Sequence, residues 1–82
     1  MNELSNYTIH FKDQGQDCLR WIVDANGVVI DSKPFQKSVW TNSRIMEHPE
    51  NIKVGDRIPF VNKFDEPRIF NHPVERVEVE TN

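Results

Sequence analysis

Asn26-Gly27 stands between two apolar runs, CLRWIV and VVID, and is the strongest constraint on how this chain folds. Both residues accept positive φ, so the pair predicts a tight reversal with the flanking runs paired as an antiparallel hairpin. Leu19, Trp21 and Val23 fall on one side of the first run and Cys18, Arg20 and Ile22 on the other. That period of two marks a half-buried strand. Trp21 and Gly27 are therefore the residues on which the hairpin is expected to depend.

The same period appears upstream, where YTIHF places Tyr7, Ile9 and Phe11 opposite Thr8 and His10. KDQGQD follows, polar and centred on Gly15, and predicts a turn joining this strand to CLRWIV. Downstream, SKPFQKSVWTNSRIM supports two assignments. Ser32 and Pro34 suit a helix start, but Val39, Trp40, Thr41 and Ile45 favour extended backbone, and Thr41-Asn42-Ser43 is a poor helix interior. A strand or irregular crossing segment is the preferred reading. EHPEN is expected as a loop, NKFDEPRIFNHP as a long irregular connection, and VERVEVE as a last strand with Val77 and Val79 inward.

These short strands, with turn signals between them, predict an all-β fold with one short helical turn at most. The expected form is a small antiparallel open barrel or highly curved sheet of five or six strands, in a single domain over residues 1–82. Pro59 cannot donate to a ladder, which points to an edge strand or a bulge there. A domain of 82 residues buries only about 60% of its unfolded surface. With 37% hydrophobic residues, most of its large side chains are needed in the core. The single cysteine, Cys18, makes no intramolecular disulfide, leaving packing, a partner or a second copy to hold the chain. Neither a signal-like N-terminus nor an apolar run of membrane-spanning length is present, and a cytoplasmic location is expected.

IKVGDRIPF, residues 52–60, carries apolar residues on both sides of Gly55-Asp56. It resembles the vGDxIxF segment of several unrelated small β-barrels, SH3-like and PUA-like among them, a likeness of nine residues that implies a fold role. Ile52 and Val54 are expected to pack inward, with Gly55 in a conformation other residues resist and Asp56 bonding nearby backbone. Asp56 thus reads as a turn residue. A catalytic acid or base needs a partner group, and the sequence supplies none beside it.

His10, Cys18, His48 and His72 match a tetrahedral zinc site in number only, because no two lie closer than eight positions. His48 and His72 precede prolines and are expected in extended loops. Cys18 with His10 across the first hairpin is a conceivable nucleophile pair, but a free cysteine more commonly serves as a small buried hydrophobe. No nucleotide-binding, nucleophile-elbow or metalloprotease motif occurs. The chain is accordingly expected to be neither an enzyme nor a cofactor or metal binder.

The formal charge of −3 argues against nonspecific nucleic-acid binding, since basic excess is what neutralises phosphates. Trp40, Phe64 and Phe70, with Arg44, Lys63 and Arg68, form the candidate interaction surface. Inward packing of Val39 would turn Trp40 outward, as an anchor for a protein partner or a second copy. The expected function is a non-catalytic binding module or small accessory or inhibitory protein acting through protein contacts. The alternative is a small β-barrel that stacks single-stranded nucleic acid or RNA on those aromatics. A metal-dependent or cysteine hydrolase is a distant third.

Overall fold

A computed structural model of the chain describes residues 5–12, 20–33 and 40–80. Seven strands are present among them: β1 Asn6–Phe11, β2 Arg20–Val23, β3 Val29–Lys33, β4 Arg44–Ile45, β5 Pro59–Val61, β6 Pro67–Ile69 and β7 Val74–Glu80. They form a four-stranded sheet in the order β3-β2-β1-β7 and a three-stranded sheet in the order β4-β5-β6. All pairings are antiparallel. The sole helical element described is a 3-10 turn at Pro49–Asn51, within the expected EHPEN loop. The all-β expectation holds, but with seven strands in two sheets that are not closed into a barrel.

The β2–β3 hairpin forms where Asn26-Gly27 predicts it, by a different turn. Gly27 has φ of 87°, whereas Asn26 does not enter the positive-φ region. Asp24 closes the loop: its Oδ1 accepts the amides of Asn26 and Val28, both at 2.9 Å, and its backbone exchanges bonds with Val28 and Gly27. This is a three-residue loop with glycine at the left-handed position. A bulge follows, since Val23 pairs with Val29 but Ile22 with Asp31.

Backbone bonds stitch the two sheets together at two places. Ile45 N donates to Gly27 O at 2.9 Å, and Val29 exchanges bonds with Ser43 and Asn42, both at 2.8 Å. At the other place, Val74 of β7 exchanges bonds with Gly55 and Asp56, just ahead of β5. Between the sheets lies one core: Ile9, Phe11, Trp21, Val23, Val29 and Val74 from the larger sheet, Ile45 and Phe60 from the smaller, with Ile52, Ile58 and Phe70 from the segments beside them. Trp21 is its centre, with ring centroids 4.9 Å from Phe11, 4.6 Å from Phe70 and 5.5 Å from Phe60. Such pairs contribute about 0.5–1.5 kcal/mol beyond their area burial.

Several expectations are corrected. Val54 is 71% exposed, because it sits on the corner of the turn that Gly55 makes with φ of 92°, where strand alternation no longer applies. Val79 is exposed as well, and Val74 is the fully buried valine of β7. The register shift opposite His10 and Phe11 brings Val74 over the core, while Val79 lies at the far end of the strand. Pro59 is on the central strand of its sheet, tolerated because it opens the strand and offers only its carbonyl, which accepts Met46 N at 2.9 Å.

The supposed irregular connection after Val61 contains a hairpin. Asn62 Oδ1 accepts the amides of Phe64 and Glu66, and Asp65 takes φ of 65°. The β5–β6 loop thus repeats the design of the β2–β3 loop, with Asn62 in the place of Asp24 and Asp65 in the place of Gly27. The predicted turn around Gly15, the placement of Cys18 and Leu19, and the assignment of residues 34–39 lie outside the described residues.

Candidate interaction surface

Asp56 is spent on its turn. Its Oδ2 accepts Lys53 N at 3.0 Å, its amide donates to Lys53 O at 3.1 Å, and its carbonyl receives Val74 N. His10 Nε2 lies 3.0 Å from Glu78 Oε1, and His48 Nδ1 lies 3.7 Å from Glu50 Oε2. His72 rests its ring 5.3 Å from Phe70. Among the described residues no group of three or more His, Cys, Asp or Glu side chains is placed to hold a metal ion.

The six residues singled out in the sequence do not share one surface. Phe70 is only 5% exposed, and its ring contacts Phe11, Trp21 and Trp40, so it is a core residue. Trp40 is half-buried, with its centroid 5.4 Å from Phe70 and 6.2 Å from Trp21. Lys63 and Phe64 occupy the exposed β5–β6 loop, with the ammonium 5.6 Å from the Phe64 ring centroid. Arg68 pairs with Glu66 at 3.1 Å. Of the three aromatics expected to form a stacking platform, Phe64 alone is exposed.

A different surface is present on the smaller sheet. Ile45 and Phe60 point into the core, so their chain neighbours point out. The register then aligns Arg44, Val61 and Pro67 in one cross-strand row and Met46, Pro59 and Ile69 in the next. Met46 and Ile69 are 61% and 65% exposed. Five of these six side chains are apolar; Met46, Pro67 and Ile69 are exposed, and Pro59 and Val61 are half-buried between them. Arg44 stands at its end, with no ion pair among the described residues.

An open groove of about 480 Å³ continues this face past Met46 and Val61, walled by Ala25, Glu47, His48 and Pro49. Glu47 Oε1 is buried there without a hydrogen-bond partner among the described residues. Beyond Arg44, a smaller cavity of about 130 Å³ is lined by Asn42, Lys63 and Asp65. The outer edge of β6 is blunted, because Pro67 has no N–H and Arg68 Nη1 donates to the Pro67 carbonyl at 3.0 Å. The face of this sheet, and not its edge, is the surface on offer.

Of the residues on this face, sequence reasoning identified Arg44 alone. A signal was available. IPFV is a continuous apolar run where a strand with one wet face should alternate, and PRIF repeats the excess. No protein-family model, curated protein or solved structure matches this chain.

Proposed function

We propose that this protein is a non-catalytic binding module that engages another protein through the outer face of the β4-β5-β6 sheet. The observation that carries the reading is the apolar pair of rows formed by Met46, Pro59, Ile69, Val61 and Pro67 on an exposed sheet face. Contiguous exposed apolar surface rimmed by polar groups is the mark of an interaction site. Arg44 at the rim and the groove beside Met46 add an orienting charge and a recess for a partner's side chain.

Supporting a role without catalysis, the Asp56 carboxylate is committed to a turn, and Trp40 and Phe70 are committed to packing. None of the described helical structure is long and apolar enough to cross a membrane. The lone cysteine favours a reducing compartment such as the cytoplasm.

The test is affinity capture from host lysate with wild type and a Met46→Asp/Ile69→Asp variant, each with and without nuclease. Both substitutions are on exposed side chains, so the variant is expected to keep the wild-type melt. A protein captured by wild type, lost with the variant and indifferent to nuclease supports the reading. Capture that survives the double substitution, or depends on intact nucleic acid, overturns it.

A further inference from the structure

Strand β7 borders the larger sheet, and among the described residues most of its outer edge has no bonded partner. The N–H and C=O of Val74 are taken by Asp56 and Gly55, but from Glu75 to Glu80 the strand has β1 on one side and no described residue bonded to the other. The remaining sheet margins differ. β6 is capped by Pro67 and Arg68, while the start of β3 is bonded to residues 42–43. Neither proline nor lysine interrupts VERVEVE. Its protection is charge alone, from Glu75, Arg76, Glu78 and Glu80, so the strand it can accept is one that sets opposite charges across from these.

We infer that β7 pairs antiparallel with β7 of a second copy, about a two-fold axis at Val77, joining two four-stranded sheets into one of eight strands. The charge pattern selects this register. Residues directly opposite in an antiparallel pair share a face, so two symmetric copies must be centred on a residue. Centring on Arg76 sets Arg76 against itself, centring on Glu78 sets Glu78 against itself, and centring on Val79 sets Glu78 against Glu80. Centring on Val77 sets Val77 against Val77 and Arg76 against Glu78 twice over.

The side chains are already arranged for this. Arg76 and Glu78 are 59% and 51% exposed, and Arg76 Nη1 lies 3.4 Å from Glu78 Oε2 of its own chain. Adding a second copy turns that pair into a ring of four alternating charges, and such networks are stronger than isolated surface pairs. Val77, half-buried in one copy, meets Val77 of the second, while Val79, exposed in one copy, lies opposite Glu75 and diagonal to that valine. Gly55 and Asp56 occupy the position beyond Val74, which limits the pairing to residues 75–79. This inference stands on β7 and does not depend on the β4-β5-β6 face.

Sedimentation equilibrium from micromolar to sub-millimolar concentration tests it, using wild type, Arg76→Glu, Glu78→Arg and the double charge swap. Wild type is expected to dimerise, and each single change to raise the dimer Kd by about tenfold or more, because both symmetric pairs become like-charged at once. The double swap is expected to restore dimerisation, since it recreates opposite charges in the same register. A wild type monomeric throughout, single variants without effect, or a double swap no better than the singles overturns the inference. Amide exchange on wild type needs no substitution. Protection over residues 75–79 should rise with concentration, and protection that does not change there overturns the pairing equally.

Discussion

The carbonyl of Gly27 accepts the amide of Ile45 at 2.9 Å, and a Cβ placed on Gly27 would come within 3.1 Å of Ile45 Cγ1. The glycine therefore meets two demands at once: the left-handed backbone of its loop and the close approach of the second sheet. Gly27→Ala is expected to cost about 1–2 kcal/mol from the backbone alone, and Gly27→Val more, because a branched side chain also displaces Ile45. Urea denaturation of the two variants checks both the sign and the order.

Asp65 fills in the β5–β6 loop the position that Gly27 fills in β2–β3, with φ of 65°, and it is exposed where Gly27 is buried. Asp65→Gly is expected to stabilise the protein or leave it unchanged, by up to about 1 kcal/mol, as relief of the left-handed strain offsets the added freedom of the unfolded chain. A loss of more than that amount would show that the aspartate side chain matters to the loop.

Trp21 is fully buried, with Phe11, Phe60, Phe70 and Trp40 around it. Trp21→Ala is expected to cost about 3–5 kcal/mol, enough to abolish a cooperative melt in a domain this small. Trp21→Phe should be milder, since the indole Nε1 is buried without a partner among the described residues and its removal relieves that cost. Thermal melts followed by circular dichroism distinguish the two.

Trp40 packs on Trp21 and Phe70 from the margin of the core. Trp40→Ala is thus expected to lower stability by about 1–3 kcal/mol. A variant with an unchanged melting temperature would return Trp40 to the role of exposed anchor.

The hydrogen bond from His10, assisted by the charge of Arg76, holds the Glu78 carboxyl below its ordinary pKa. A carboxyl whose pKa is depressed by folding adds stability above its unfolded pKa and loses that contribution as pH falls through the folded value. Glu78→Gln should therefore melt below wild type at neutral pH, with the gap narrowing as the solution becomes more acidic than the ordinary glutamate pKa. Melts of dilute protein across acid pH test this, and a gap that widens on acidification contradicts it.

Local pattern in the sequence was sufficient for β1, β2, the β2–β3 reversal and the turn at Asp56. Each is decided by alternation or by a glycine at a tight bend, properties that neighbouring residues control. The β5–β6 hairpin was also legible in principle, because NKFD places an asparagine and an aspartate where DANG places an aspartate and a glycine. Without glycine or an adjoining alternating run, that signal is faint.

Tertiary contact decided the rest. Whether Phe70, Trp40 or Ile69 faces the core depends on which strands lie across from it, and a short apolar run reads the same on either face. The partition into two sheets rests on bonds such as Ile45 to Gly27 and Val74 to Asp56, between residues eighteen positions apart in both cases. The exposed face of Met46, Pro59, Val61, Pro67 and Ile69 exists only because Ile45 and Phe60 commit the opposite side of their strands to Trp21 and its neighbours. Composition supplied more apolar side chains than one face of this sheet can bury, and the register between β4, β5 and β6 determined which of them remain in water.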